Sequence, residues 1–422
     1  MTKSNNTFAI ILLTSLFFLW GFAHNLDPIL IPHLKRSFTL SNVQATLVDT
    51  AVYAAYFLMA VPAGMIMKRF GYKTGIITGL LLFSAGSFLF IPAANTQLYS
   101  FFLVALFIIA CGLAILETVA NPYMTVLGDS AHAEQRLNFA QSFNGFATMI
   151  APFVGTELIL IQSHSDNQLA TMTEAARKAA LAAEASSVKI PYLVLGTVLL
   201  LIAIAFSFTK LPDAQSNETE ANNGSIFKTL RHPQLAWGAV AQFFYVGAQT
   251  CVLSLFVLYA PHAAGITEKS AGHFASLCGL AFLIGRFVGT FLMKYFKSNS
   301  LLAVYAVINV FLSVVAVYAH GYIAIYTVIA IAFFMSIMFP TIFALGIKGL
   351  GPDREFGSSL IIMSIVGGAI IPRFYGYISD VYNNIQMGYY VPAVCFAVIA
   401  FFGWRGHRVN VSKTDLLTHV EY

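Results

Sequence analysis

The chain has 422 residues, of which 58% are hydrophobic and only 10% are charged, and its mean hydropathy is +0.76. Soluble globular domains carry about 25% charged residues. This composition excludes a single water-soluble core and indicates a membrane protein built from many helices.

Twelve apolar runs reach the roughly 20 residues that a bilayer-spanning helix needs. We number them spans 1 to 12, with predicted limits 8–31, 45–67, 73–93, 97–127, 137–162, 190–209, 233–259, 270–293, 300–319, 321–347, 357–380 and 387–404. The first run is too long for a signal peptide and no small-residue cleavage site follows it. We therefore expect it to remain as span 1 of an all-α membrane protein.

Basic residues in the loops predict the orientation, since cytoplasmic loops are enriched in Lys and Arg. With both termini in the cytoplasm, the inner loops and tail hold Lys68, Arg69, Lys73, Lys294, Lys297, Arg405 and Arg408. Lys35 and Arg36 fall on the outer side against this trend. The net charge of +5 is thus explained by membrane topology, and nucleic acid is not an expected partner.

Six spans lie on each side of a polar stretch, 210–232, that lacks apolar periodicity and is typical of a flexible linker. The predicted domains are an N-terminal bundle at 1–209, this linker, and a C-terminal bundle with a short tail at 233–422. The halves repeat short motifs at a nearly constant offset: M-K-x-F after spans 2 and 8, P-x-x-x-x-L-G in spans 4 and 10, and a proline in spans 5 and 11. Such duplication is common in secondary transporters.

Two acidic residues are predicted inside spans, although a charge at the bilayer centre costs about 2.5–3.5 kcal/mol on insertion scales. Glu117 lies in span 4, within LETVANP, and Asp27 lies near the outer end of span 1. A carboxylate avoids this cost by binding a proton, so both residues are candidate proton carriers. The alternatives are a structural hydrogen bond between helices for Glu117 and a helix-end cap for Asp27.

Polar side chains recur on single helix faces. They are Glu117 and Asn121 in span 4, Asn138, Gln141 and Asn144 in span 5, and Gln242, Tyr245 and Gln249 in span 7. Amides offer both donors and acceptors, which suits the hydroxyl groups of a sugar. The alternative is hydrogen bonding between helices, which membrane bundles also use.

Other motifs indicate structure and exclude some activities. Gly75–Gly79 and Gly285–Gly289 have the small-residue spacing that allows close helix contact, and Arg286 is expected to be structural. The sequence contains no phosphate-binding GxxxxGK[ST] motif and no His/Cys cluster with metal spacing. We therefore expect no cofactor, no metal and no enzymatic activity.

Several long segments resemble the fucose:proton symporter family of the major facilitator superfamily. They are SLFFLWGFAHNLDPILIP, PAGMIMKRFGYKTGIITGL, LFIIACGLAILETVANPYMTVLG, RLNFAQSFNGF, AQFFYVGAQT, IGRFVGTF and FPTIFALGIKGLG followed by GSSLIIMSIVGG. The resemblance implies two pseudo-symmetric six-helix bundles, alternating access, and uptake of a neutral sugar with a proton. It also implies a coupling and sugar-binding role for Glu117, and sugar contacts for Asn25, Gln141 and Asn144.

One position departs from the family pattern. The family's aspartate of span 1 falls on Pro28 in this chain, and the carboxylate comes one residue earlier, at Asp27. We expect Asp27 to take over the role. The resulting prediction is a monomeric proton-coupled L-fucose transporter of a bacterial inner membrane. The alternatives are a glucose/galactose symporter of the same family and a sensor that binds sugar without moving it.

Overall fold

The computed structural model describes residues 3–26, 30, 38, 47–159, 171–209 and 229–408, and the regular elements in this part of the chain are helices. Each of the twelve predicted spans contains at least one helix, which confirms the all-α architecture. In span order the helices are Lys3–His24, Leu47–Thr96 for spans 2 and 3 together, Tyr99–Val126, Ala133–Ile159, Lys189–Phe208, Pro233–Ser254 with Phe256–Ala264, Glu268–Leu292, Ser298–Tyr318, Tyr322–Met335 with Met338–Gly346, Arg354–Met363 with Gly367–Val381, and Tyr390–Phe401.

Eight helices of the described part are long and apolar enough to cross a membrane, and the bent pair in span 7 makes a ninth. One of the eight, Thr50–Thr96, contains both span 2 and span 3. The two are separated by Gly71, whose φ of 80° and ψ of 171° are reached readily only by glycine. Spans 1 and 5 complete the twelve. An additional helix, Glu174–Ser186, precedes span 6 and is capped by the side chain of Thr173, which accepts from the Ala176 N–H.

Close contacts divide the chain into two compact units. Unit 1 comprises Met1–Leu127 and Phe139–Ala214, and unit 2 comprises Gly128–Asn138 and Gln215–Tyr422. The beginning of span 5 thus packs with unit 2. Within unit 2, Lys348 Nζ lies 2.8 Å from Glu134 Oε1.

Glycines bring spans 3 and 4 into backbone contact in unit 1. A Cβ at Gly79 would lie 3.0 Å from the Gly112 carbonyl oxygen, and a Cβ at Gly112 would lie 2.7 Å from the Gly79 carbonyl oxygen. Gly75 lies against the side chain of Val119 in span 4. The expectation that Gly75 and Gly79 allow close helix contact is confirmed, and this contact fixes the helix that carries Glu117.

Glycines also bring span 7 close to its neighbouring helices in unit 2. Gly247 faces the side chain of Ile371 in span 11, and Gly367 of span 11 lies against the backbone of Phe243. A Cβ at Gly238 would lie 3.0 Å from the Gly346 Cα of span 10. Since these contacts occur along its length, span 7 holds its polar side chains in a fixed position.

We expect Gly112→Val to destabilise unit 1, because the new side chain meets the backbone of span 3, which cannot rotate away. Overpacking typically costs about 1–3 kcal/mol, and a backbone clash lies at or beyond the upper end. Thermal unfolding of the detergent-purified protein should show a lower Tm. Gly279→Ala is the matched control, since no atom lies within 4 Å of its Cβ position, and a Tm loss as large as that of Gly112→Val would contradict this account.

Candidate functional site

The acidic centre of unit 1 is Glu117, which is only 8% exposed within the helix Tyr99–Val126. Its carboxyl group forms a hydrogen bond with the hydroxyl of Tyr56, from span 2. Tyr56 is itself buried. A buried carboxyl group with a phenol partner can be accommodated with or without its proton, because the phenol can either donate or accept.

Two amides lie beside this acid. Asn121 is one helical turn after Glu117 and is fully buried, and its Oδ1 accepts a hydrogen bond of 3.1 Å from Gln141 Nε2 of span 5. The Asn121 Nδ2 has no hydrogen-bond partner among the described residues. One donor in this pair is therefore available to a polar ligand.

Span 1 joins the same cluster at Gly21. Asn25 donates from Nδ2 to the Gly21 carbonyl oxygen at 2.6 Å. A Cβ at Gly21 would lie 2.8 Å from Asn144 Cγ, so the missing side chain makes room for the Asn144 amide of span 5. The structure thus brings together the predicted residues Asn25, Glu117, Asn121, Gln141 and Asn144 in one unit.

Asn138, predicted on the same face as Gln141 and Asn144, lies apart from them. Its Nδ2 donates to the Glu134 carbonyl oxygen at 2.9 Å and to Thr341 Oγ1 at 3.1 Å, and it belongs to unit 2. These bonds fit the alternative reading of that residue, a hydrogen bond between helices. Its assignment as a sugar ligand stays a prediction.

Span 7 contributes the polar residues of unit 2. Gln242 and Tyr245 are both fully buried. The amide nitrogen and oxygen of Gln242 and the hydroxyl of Tyr245 have no hydrogen-bond partner among the described residues. Leaving such a group unpaired costs about 1–3 kcal/mol, and that cost is recovered when a polar ligand binds. Gln249, also predicted, is half-buried two turns further on.

Asp27 and Pro28 lie outside the described residues. The proposed transfer of the proton role to Asp27 therefore stays a prediction. Among the described residues, no group of three or more His, Cys, Asp or Glu side chains is placed to hold a metal ion.

Tyr56 is not among the residues that the sequence predicts for the site. A tyrosine in an apolar span is an ordinary packing residue by composition, and no spacing rule relates span 2 to span 4. Only the packing of the two helices shows that its hydroxyl meets Glu117.

Comparison with known proteins agrees with the fold. Residues 10–360 match the Major Facilitator Superfamily. The chain is 43% identical over 399 residues to an L-fucose-proton symporter of Escherichia coli K12, covering 93% of this chain and 91% of that protein. It is 39% identical over 409 residues to a glucose/galactose transporter of Brucella abortus, covering 96% of each.

A solved structure shows the same architecture. The crystal structure of the transporter FucP in the outward conformation superposes with a TM-score of 0.89 at 42% identity, covering 95% of this chain and 99% of that one. The chain is a multi-pass membrane protein, and it belongs to the fucose:proton symporter family of the Major Facilitator Superfamily.

Proposed function

We propose that this chain takes up L-fucose together with a proton by alternating access. The observation that carries the proposal is the 43% identity to the L-fucose-proton symporter across 93% of the chain. The buried acid and its amide neighbours in unit 1 support it, because they supply the two kinds of group that such a transporter needs.

Sugar recognition rests on amides and a phenol. Asn121 offers an unpaired donor, Gln242 offers an unpaired donor and acceptor, and Tyr245 offers a hydroxyl that can act as either. A hydroxyl group is both donor and acceptor, so the hydroxyl groups of a neutral hexose suit each of these side chains. No positively charged side chain is required at the sugar site, because the ligand we propose carries no charge.

Proton coupling rests on Glu117. The carboxyl group takes a proton when the site is open to the outer side and the sugar binds, and releases it when the site opens inward. Tyr56 keeps one hydrogen bond to this group through the cycle, acting as donor to the carboxylate or as acceptor from the acid. Asp27 relays the proton from the outer side.

The energy of one proton is sufficient for accumulation. A charge moving through 100 mV releases about 2.3 kcal/mol, and each tenfold concentration ratio requires about 1.4 kcal/mol. A one-to-one symporter therefore sustains about fiftyfold accumulation of the sugar at this potential.

We place the protein in a bacterial inner membrane as a monomer, with both termini in the cytoplasm. The basic residues between spans 2 and 3 and between spans 8 and 9 support this orientation, and several of them, including Lys68 and Lys294, are exposed. The surrounding bilayer contacts the exposed apolar side chains.

A second candidate is a glucose/galactose symporter. The 39% identity to the Brucella abortus transporter, over 96% of both chains, favours this alternative over any other sugar. A third, a sugar sensor, would show saturable binding in proteoliposomes without flux.

Counterflow competition distinguishes the sugars. In proteoliposomes preloaded with unlabelled L-fucose, we expect labelled L-fucose to exchange, because counterflow needs binding and alternation but no proton gradient. Added D-galactose or D-glucose should compete weakly. Exchange of labelled D-galactose in proteoliposomes preloaded with D-galactose, undiminished by added L-fucose, together with no exchange of labelled L-fucose, would replace the first candidate with the second.

Glu117→Gln should separate exchange from coupling, because the amide imitates the protonated acid. We expect counterflow to remain, and accumulation driven by a proton gradient to fall from about fiftyfold to equilibrium. Glu184→Gln is the matched control, since Glu184 is also buried, with 1% of its surface exposed, but lies in the helix before span 6. Both activities should survive in the control, and intact accumulation in Glu117→Gln would remove Glu117 from the coupling role.

Gln242→Met should weaken sugar binding without harming the fold. The substitution replaces an unpaired buried amide by an apolar side chain of similar shape. It therefore removes the free-energy cost of about 1–3 kcal/mol that an unpaired buried polar group carries. We expect the Tm of the sugar-free protein to rise or stay constant, while the half-saturation concentration rises about tenfold. A lower Tm with unchanged sugar affinity would instead assign Gln242 to helix packing.

A further inference from the structure

Arg286 of span 8 is a charged residue buried in unit 2, with 3% of its surface exposed. Its Nε donates a hydrogen bond of 2.9 Å to the carbonyl oxygen of Ser336 in span 10. Its guanidinium lies 4.6 Å from the centre of the Phe282 ring. The side chain thus crosses from one span to the backbone of another.

The accepting carbonyl lies at a break in span 10, between the helices Tyr322–Met335 and Met338–Gly346. In a continuous helix, the carbonyl of Ser336 would accept from the backbone N–H four residues later. That residue is Pro340, which has no N–H. The neighbouring carbonyl, of Ile337, is satisfied normally by the Thr341 N–H at 3.2 Å. Arg286 therefore supplies the donor that Pro340 lacks.

Two glycines bring the backbone of span 8 against this break. A Cβ at Gly285 would collide with the Phe333 carbonyl oxygen and would lie 2.8 Å from Ser336 Oγ. A Cβ at Gly289 would collide with the side chain of Ile337. Because these glycines flank Arg286 in sequence, the guanidinium is held at the exact turn where span 10 is interrupted.

The break is connected to the span 7 residues. Arg286 interacts electrostatically with the Tyr245 hydroxyl. The ring of Phe339, three residues after Ser336, meets the Tyr245 ring edge-on with centroids 6.1 Å apart. Because Phe339 lies one turn after the Ser336 carbonyl, the backbone geometry at the break sets the position of this ring against Tyr245.

We propose that Arg286 is a positioning residue for sugar binding: it holds the break in span 10 by pairing the Ser336 carbonyl, and so keeps Tyr245 and Phe339 in the geometry that receives the sugar. This inference rests on the proposed transport function and assigns Arg286 no direct sugar contact and no proton.

Arg286→Met tests the role in transport. We expect the half-saturation concentration for L-fucose counterflow to rise about tenfold while the maximal rate changes less than about twofold. Arg286→Lys should behave like Arg286→Met, because lysine keeps the charge but lacks the planar Nε–H. Arg373→Met, at an exposed arginine of span 11, is the matched control and should leave both values unchanged. A wild-type half-saturation concentration in Arg286→Lys would overturn the proposal.

Pro340→Ala tests the proposed reason, since alanine restores a backbone N–H for the Ser336 carbonyl. Arg286→Met should lower the Tm in the wild-type background and lower it less in the Pro340→Ala background. If Arg286→Met alone does not fold, the double variant of Arg286→Met and Pro340→Ala should fold. A double variant that stays unfolded would overturn the proposal, and so would Tm losses that simply add. The Tm measurement needs no sugar, so it tests the pairing of Arg286 with the Ser336 carbonyl separately from the transport function. If the wild-type protein does not exchange L-fucose, only the transport proposal fails.

Discussion

The hydrogen bond between Glu117 and Tyr56 ties the buried acid that we propose as the proton carrier to the packing of unit 1. Span 4 also lies directly against span 3, where Gly79 and Gly112 allow backbone contact, and this contact holds the helix that carries Glu117. The same helix places Asn121 one turn away, where it meets Gln141. A charged carboxylate inside a bilayer costs free energy, and hydrogen bonds from the surrounding polar side chains offset part of that cost.

The two halves of the chain use one repeat for different purposes. Both carry P-x-x-x-x-L-G, at Pro122 in span 4 and at Pro340 in span 10. Span 4 continues as one helix through its proline, whereas span 10 is interrupted before its own. In unit 2 the interrupted backbone is paired by Arg286. Glu117 of unit 1 and Arg286 of unit 2 are thus buried groups of opposite charge, and of the two only the carboxyl group is suited to exchange protons, because a guanidinium stays protonated in proteins.

Much of the fold and part of the site followed from local sequence. Apolar run length predicted the twelve spans, and glycine spacing predicted the contacts of Gly75 and Gly79. Amides at helical spacing predicted Asn121, Gln141, Gln242 and their neighbours as site residues, and the structure shows that these three are buried. The same spacing placed Asn138 with Gln141 and Asn144, yet its hydrogen bond runs to Thr341 in the other half of the sequence. Periodicity describes a face of one helix and carries no information about which helix that face meets.

By itself the sequence determined the class of protein, the number of spans and the residues whose burial has to be explained, because the cost of polar groups in a bilayer depends on residue type and run length. The tertiary structure alone decided the partners: Tyr56 for Glu117 and the Ser336 carbonyl for Arg286. The physical reason is that a hydrogen bond between spans requires an approach of about 3 Å. That approach is set by how whole helices pack against one another, which no short stretch of sequence specifies.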